Sequence, residues 1–353
     1  MRITLLCKRY YTNKDLIKDK FGRLYHLPVQ LAKLGHDIVV IAIDYRNTKV
    51  TECTLDDVNF ITLPATVSQL PFLPYRAYQA IRKAQPDILI CSGDSHIGYL
   101  GWQISRRLKC RFAFDVYDYY PAFKGNQIPG MKTMFRIAVQ KAELVLCASQ
   151  PLQKRLEQWN NNTLLAENGV DKSLFRPMDK KVARRRLGID THIPVIGFFG
   201  SITPCKGPLL IDACQLLRKK HPTLLLLLSG TVSEVDIGQP WIRYLGNVDQ
   251  TKVPNLIGAC DVVSLPLDSH PQNDVSGACK IAEYLACKRP VVATRISSHK
   301  DFFSSTPESL CEPDVEDMAR AIDVQLTIQL IEPFPEELNW AIIAQKINNA
   351  LNT

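Results

Sequence analysis

The chain reads as an α/β protein made of two doubly wound parallel-sheet (Rossmann-like) domains. Three observations carry that reading. Short apolar runs alternate with amphipathic stretches along all 353 residues, with short connections between them. The alternation pauses between Gly169 and Ile193, where Pro177, Gly188 and a run of Lys180, Lys181, Arg184, Arg185 and Arg186 mark a linker with a short exposed helix. Each half also joins a buried strand to a helix through a glycine-bearing loop, Phe21-Gly22-Arg23 in the first and Gly200 through Gly207 in the second. Such loops place ligands at the carboxyl ends of parallel strands. A chain of this length is long for one core and comfortable for two. Two facing sheets with a ligand at each suit an enzyme that joins two substrates in a cleft.

The elements follow in order. Ile3–Cys7 is an apolar strand; Arg23–Leu34 is a helix stopped by Gly35; Asp37–Ile43 is the next strand, and Val58–Leu63 another. Tyr78–Lys83 is helical, and Pro86-Asp87 introduces the strand Ile88–Cys91. Helix Gly98–Leu108, strand Arg111–Val116, amphipathic helix Met131–Lys141 and strand Leu144–Cys147 complete the first half. The second half gives strand Val195–Phe199, helix Pro208–Lys219, strands Thr223–Leu228 and Ile242–Leu245, helix Val253–Ala259 and strand Val262–Leu265. Helix Lys280–Ala286, strand Val291–Ala293 and helix Val315–Gln329 follow. Pro333 and Pro335 then redirect the chain into a last helix, Glu336–Leu351, whose Trp340, Ile343 and Ile347 form one apolar face.

Composition is that of an ordinary soluble globular protein, 46% hydrophobic and 22% charged. No apolar run approaches the roughly 18 residues of a membrane span. The start, Met1 through Cys7, is too quickly polar for a secretory leader and reads as a first strand, which points to the cytoplasm. Eleven scattered cysteines with no C-x-x-C pair argue against a disulfide framework or a structural zinc site. The charge of +8 is uneven: through Ser173 there are 24 Lys and Arg against 15 Asp and Glu, and beyond it 19 against 20. A basic first half attracts phosphates or an anionic membrane face, or is simply a solvated surface. No nucleic-acid recognition motif accompanies it.

Neither half carries G-x-G-x-x-G, which disfavours a dinucleotide oxidoreductase, and Gly200–Gly207 lacks the G-K-[ST] ending of a P-loop. What remains after the strand is glycine, small polar residues and Lys206. Backbone amides there can meet a diphosphate and Lys206 can neutralise charge developing on it; the plain alternative is a tight turn with an exposed lysine. Glu283, on the helix with Lys280, can accept both hydroxyls of a ribose, or is a helix-surface glutamate. The turn Asn273-Asp274-Val275-Ser276-Gly277 before that helix offers amides to phosphate or sugar hydroxyls.

Taken together, Gly200-Ser201 with Lys206-Gly207, Tyr244-Leu245-Gly246-Asn247-Val248, Ala259 through Pro266, and Lys280-Ile281-Ala282-Glu283-Tyr284 running on to Arg289-Pro290-Val291-Val292-Ala293 resemble the donor half of family 4 glycosyltransferases. Glu167-Asn168-Gly169-Val170-Asp171 with Phe175-Arg176-Pro177 is similar to that family's interdomain segment, and Gly35 through Val40 to its N-terminal helix-to-strand turn. The resemblance covers nearly the whole chain. It implies the GT-B architecture, two Rossmann-like domains facing a cleft, with no bound metal and usually with retention of anomeric configuration. It also implies a donor-binding set of Gly22, Gly200, Ser201, Gly246, Asn247, Ser276, Gly277, Lys280 and Glu283. Lys206 matches the phosphate-clamp lysine, and Asp118, within Asp115 through Pro121, the family's His-Asp position. Arg23, His96 and Tyr119 fall on the acceptor side. There are two departures. The arginine usual after Gly200 is Ser201, and the first glutamate of a Glu-x7-Glu pair is Val275, with Asp274 a substitute one residue earlier.

The resulting expectation is a glycosyltransferase moving a sugar from a nucleoside-diphosphate sugar to a lipid-linked or polysaccharide acceptor. Residues 1–172 would bind the acceptor, residues 173–334 the donor, and residues 335–353 would return to the first domain. No cofactor, metal or nucleic acid is expected. The helix Met131–Lys141, with Lys132, Arg136 and Lys141 around apolar residues, is either a surface for an anionic membrane, on the inner face of the plasma membrane, or a core helix with a solvated face. Alternatives are a non-catalytic nucleotide-sugar-binding partner, motivated by Ser201 and Val275, or another GT-B enzyme such as a sugar-phosphate synthase or epimerase.

Overall fold

The computed structural model describes every residue except 12–13, 127, 269–278 and 353. The chain divides into two compact units. The first comprises Met1–Gly169 and Glu337–Thr353; the second holds the described residues between Val170 and Glu336.

The first unit runs β1 (Arg2–Lys8), a small hairpin of β2 (Tyr10–Tyr11) and β3 (Lys14–Asp15), α1 (Arg23–Lys33), β4 (Asp37–Asp44), β5 (Thr51–Leu55) and β6 (Val58–Pro64). It continues through α2 (Leu73–Ala84), β7 (Ile88–Ser92), α3 (Ser95–Leu108), β8 (Arg111–Val116), α4 (Met131–Lys141), β9 (Leu144–Cys147), α5 (Gln150–Glu157) and β10 (Thr163–Leu165). The sheet order is β10-β9-β8-β7-β1-β4-β6-β5. All neighbours are parallel except β5 on β6. Central strands are apolar on both faces because helices cover both; all five residues of β7 are buried.

β5 was not expected from its pattern. Its residues Thr51-Glu52-Cys53-Thr54-Leu55 are half-exposed, and it turns into β6 through Asp56 and Asp57, both left-handed at φ 48° and 63°. That is the two-residue hairpin geometry usually written with Asn-Gly or Asp-Gly, here made by two aspartates. Helix α2 begins five residues before the expected Tyr78, with Pro74 in its first turn.

The second unit runs α6 (Lys180–Leu187), β11 (Val195–Phe199), α7 (Pro208–Leu217), β12 (Leu225–Ser229), β13 (Ile242–Tyr244), α8 (Val253–Ala259) and β14 (Val262–Leu265). Then come α9 (Cys279–Ala286), β15 (Val291–Thr294), α10 (Ser297–Lys300), β16 (Leu310–Cys311) and α11 (Val315–Ile328). The six strands lie in the order β13-β12-β11-β14-β15-β16, all parallel. The linker helix α6 is not the wholly exposed element its basic run suggests. Arg184 is buried and donates to the Ala259 carbonyl at 2.9 Å, the Thr191 carbonyl at 2.8 Å and Asp261 at 2.6 Å, which anchors α6 on the second unit.

The last helix, α12 (Trp340–Leu351), follows a 3-10 turn at Glu336–Leu338. Trp340, Ile343, Ala344, Ile347 and Leu351 join the core of the first unit. Trp340 stacks on His26 of α1 at 5.8 Å. Gly169 lies directly under this helix: a β-carbon there would stand 2.8 Å from the Trp340 ring and 2.9 Å from the Leu338 carbonyl. That contact places the break between units at Gly169, three residues before the one expected from the linker.

Candidate functional site

In the second unit, three loops meet at the carboxyl ends of β11, β12 and β13. Gly200 N–H donates to the Ser229 carbonyl at 2.8 Å, and Gly230 N–H to the Gly246 carbonyl at 2.9 Å, where Ser229 Oγ also donates. Tyr244 OH donates to the Gly230 carbonyl at 2.6 Å, and Thr231 Oγ1 to Asn247 Oδ1 at 3.3 Å. Gly230 is the keystone. Its φ is +135°, and a β-carbon would fall 2.0 Å from the Gly200 carbonyl oxygen. Sequence reasoning missed Gly230, because Ser229-Gly230-Thr231 reads as any strand end and its contact is 30 residues away.

Helix α9 closes this edge. Lys280 lays its side chain across Gly200, where a β-carbon would stand 2.2 Å from Lys280 Cε and 2.8 Å from Nζ. Phe199 N–H, at the end of β11, donates to Tyr284 OH at 3.1 Å, which ties α9 to the strand. Between these two anchors stands Glu283, half-buried and with no hydrogen-bond partner for its carboxyl among the described residues. Burial pushes that carboxyl up to about 7, and Lys280 pulls in the opposite direction. A carboxylate held desolvated and unpaired is a group awaiting a donor. Lys206 sits half-buried in the turn before α7, its N–H donating to the Thr203 carbonyl at 2.8 Å; Ser201 is exposed. Asp274, Ser276 and Gly277 lie outside the described residues.

In the first unit the expected residues come from several different elements. Gly22 is the N-cap of α1 at φ 69°, beside the Tyr11 ring. Arg23 lies inside the fold. It is 2% exposed, ion-paired with Asp115 at 2.7 Å, and donates to the Ala166 and Glu167 carbonyls at 2.6 and 2.9 Å. It joins α1, the end of β8 and the segment after β10, and so presents no face to an acceptor. Asp118 and Tyr119 are half-buried in the loop after β8, with the Tyr119 ring taken up by Arg155 at 3.9 Å and by Phe135. His96 lies in the first turn of α3 and shares a 3.0 Å hydrogen bond with Tyr45 OH. Burial lowers its pKa below the usual histidine range. Beside it Asp94 pairs with Lys8 at 3.1 Å.

Helix α4 is a core helix with a solvated face. Phe135, Ala138 and Val139 are buried, Phe135 against Phe114, Tyr119 and Trp159, while Lys132, Arg136 and Lys141 are exposed. Its other apolar residues, Met131, Met134 and Ile137, are half-buried. No described helix is long and apolar enough to cross a membrane.

Two doubly wound units, the second with a glycine-stitched loop edge overlaid by a lysine and a carboxyl, define a GT-B type of protein. Comparison with known proteins agrees. Residues 23–174 match the model for Glycosyltransferase Family 4, and residues 193–327 that for Glycosyl transferases group 1. The chain belongs to the family 4 glycosyltransferases of GT-B fold. It is 33% identical over 147 residues to a D-inositol 3-phosphate glycosyltransferase of Stackebrandtia nassauensis, covering 36% of this chain and 32% of that one. It is 26% identical over 172 residues to a putative teichuronic acid biosynthesis glycosyltransferase of Bacillus subtilis, covering 45% and 42%. The matched stretch thus spans a third to two fifths of these relatives. Among solved structures, sucrose-phosphate synthase from Thermosynechococcus elongatus superposes with a TM-score of 0.76 at 18% identity, over 99% of this chain and 98% of the other. Anabaena HepE in complex with UDP and glucose gives 0.69 at 19%, over 100% and 95%. At such identities the likeness shows the fold.

Proposed function

We propose that the protein transfers a sugar from a nucleoside-diphosphate sugar to a lipid-linked or polysaccharide acceptor, with retention and without a bound metal, in cell-surface glycan synthesis. The observation that carries the reading is the unsatisfied carboxyl of Glu283 beside Lys280, which lies across Gly200 at the loop edge of the second sheet. A ribose would supply the two hydroxyl donors that this carboxyl lacks, and their hydrogen bonds favour its ionised form. Lys206, Lys280 and the loop amides then face a diphosphate. Negative charge grows on that leaving group as the glycosidic bond breaks, so fixed cations there lower the barrier. Gly246 and Asn247 would lie beside the base. Asp118 and His96 are the candidate polar groups of the acceptor unit, and Asp274, Ser276 and Gly277 those for the sugar.

HepE was solved with UDP, which makes UDP the first nucleotide to try. Thermal shift with UDP, GDP and ADP, followed by hydrolysis of the matching nucleotide sugar, tests the reading. One nucleoside diphosphate should raise the melting temperature by linkage. Nucleotide binding without either hydrolysis or transfer would favour a non-catalytic donor-binding subunit, the reading that Ser201 and Val275 motivate. No stabilisation by any nucleotide would remove both.

A further inference from the structure

The segment between β6 and α2 leaves large apolar side chains in water. Val67 is 93% exposed, Leu70 48%, Phe72 60% and Tyr75 67%, with Pro71 and Pro74 stiffening the backbone between them. They are not spare core: Leu73, Ala77 and Ile81 already bury the inner face of α2. Gln69 Nε2 donates to the Thr48 carbonyl at 3.2 Å, which brings the exposed Val50 of the β4–β5 loop into the same rim. Monomeric soluble proteins rarely expose contiguous apolar patches of this kind without a partner.

The charge around the rim is mostly positive, with Glu52 the exposed carboxylate beside Val50. From Val58 to Pro86 the sequence holds no carboxylate, and it holds Arg76, Arg82 and Lys83. Arg46 and Lys49 stand exposed in the adjoining loop, and Arg76 lies over the Phe72 ring at 6.0 Å. Of the carboxylates close by, Glu52 on β5 is exposed and accepts from Asn59 Nδ2 at 3.0 Å, whereas Asp44 is paired with Arg9 at 2.9 Å and Asp94 with Lys8 at 3.1 Å. Apolar tips flanked by cations suit an interface of acyl chains beneath anionic headgroups. The rim also sits at the carboxyl edge of the sheet, and Tyr45 in its inner loop is hydrogen-bonded to His96.

We propose that the rim formed by Val67, Leu70, Phe72 and Tyr75, with Val50 and its flanking cations, docks on the surface of an anionic lipid bilayer. Docking there sets the carboxyl edge of the first sheet at the membrane, within reach of a lipid-linked acceptor. That last clause rests on the function proposed above, whereas the docking does not.

The test is co-sedimentation of the full chain with phosphatidylcholine vesicles and with vesicles of phosphatidylcholine and phosphatidylglycerol. The chain should partition onto the anionic vesicles and be released as salt rises toward about 1 M, where the Debye length is about 3 Å. Leu70→Ser/Phe72→Ser/Tyr75→Ser should lower partition by about tenfold or more, with far-UV circular dichroism, melting and nucleotide-sugar hydrolysis unchanged. Lys49→Gln/Arg76→Gln should abolish the preference for anionic vesicles. Lys132→Gln/Arg136→Gln/Lys141→Gln on α4 should change partition by less than about twofold. No partition of the parent chain, equal partition of the triple serine variant, or a dimer in sedimentation velocity that the serine variant dissolves would each overturn the proposal. Vesicle binding with no sugar transfer to any lipid acceptor would leave the docking standing and refute the acceptor assignment.

Discussion

Lys280 crosses Gly200 so closely that a β-carbon on the glycine would stand 2.2 Å from Lys280 Cε. The obstructing atoms are the far end of a flexible side chain, and the glycine's φ is one that any residue adopts. Gly200→Ala should therefore fold with a small change in melting temperature while turning Lys280 aside. Nucleoside-diphosphate affinity should fall by about tenfold, the loss of one charge-assisted contact. Calorimetric titration with UDP checks this, and unchanged affinity would separate Lys280 from the diphosphate.

Gly230→Ala tests the opposite case. Its added carbon meets the Gly200 carbonyl at 2.0 Å, and its φ of +135° is strained for any side chain. Backbone cannot swing away, so the variant should lose about 3 kcal/mol or more. Urea unfolding monitored by circular dichroism gives the number. A variant as stable as the parent would show that the loops of β11 and β12 are not locked together.

Glu283→Gln should change how stability and binding depend on pH. The folded carboxyl titrates at about 7 against an ordinary 4.5. Between those values the folded state keeps a proton that the unfolded state has released. Wild-type stability therefore falls as pH rises from 4.5 to 7 and stays level above, by at most about 3 kcal/mol. The glutamine variant lacks this term, so its melting temperature should overtake the wild type's progressively across that window. Nucleotide affinity should rise with pH through 7 in the wild type, as the carboxylate forms, and be flat and weaker in the variant. Parallel pH profiles for the two proteins would rule out a desolvated Glu283.

Lys206→Ala should reduce kcat by about a hundredfold with a much smaller change in KM, because the charge it faces grows toward the transition state. A raised KM at constant kcat would instead assign Lys206 to ground-state binding.

Chelation should leave transfer intact, since lysines and amides are proposed to hold the diphosphate. Complete loss with EDTA and recovery with Mn²⁺ or Mg²⁺ would contradict that arrangement.

The sequence by itself determined the two-domain α/β class, because buried strands between helices must be continuous apolar runs, as in β7 and β12, and such runs survive any detail of packing. It also singled out the helix carrying Lys280 and Glu283 and the glycine loop after β11. It did not reveal which polar groups are free to act. Arg23, next to a glycine turn, looks like a ligand-binding cation until the fold brings Asp115 from 92 residues away to pair with it. Phe135 of α4 looks like part of an insertable face until Phe114 and Trp159 pack against it, and the exposure of Phe72 and Tyr75 is visible only in the fold. The sequence leaves Glu283 as either a ribose acceptor or a helix-surface glutamate; its burial shows only in the fold, where Tyr284 of the same helix is tied to Phe199. Periodicity is local and is written along the chain. Burial, ion pairing and desolvation depend on residues distant in sequence, so only the tertiary structure decided them.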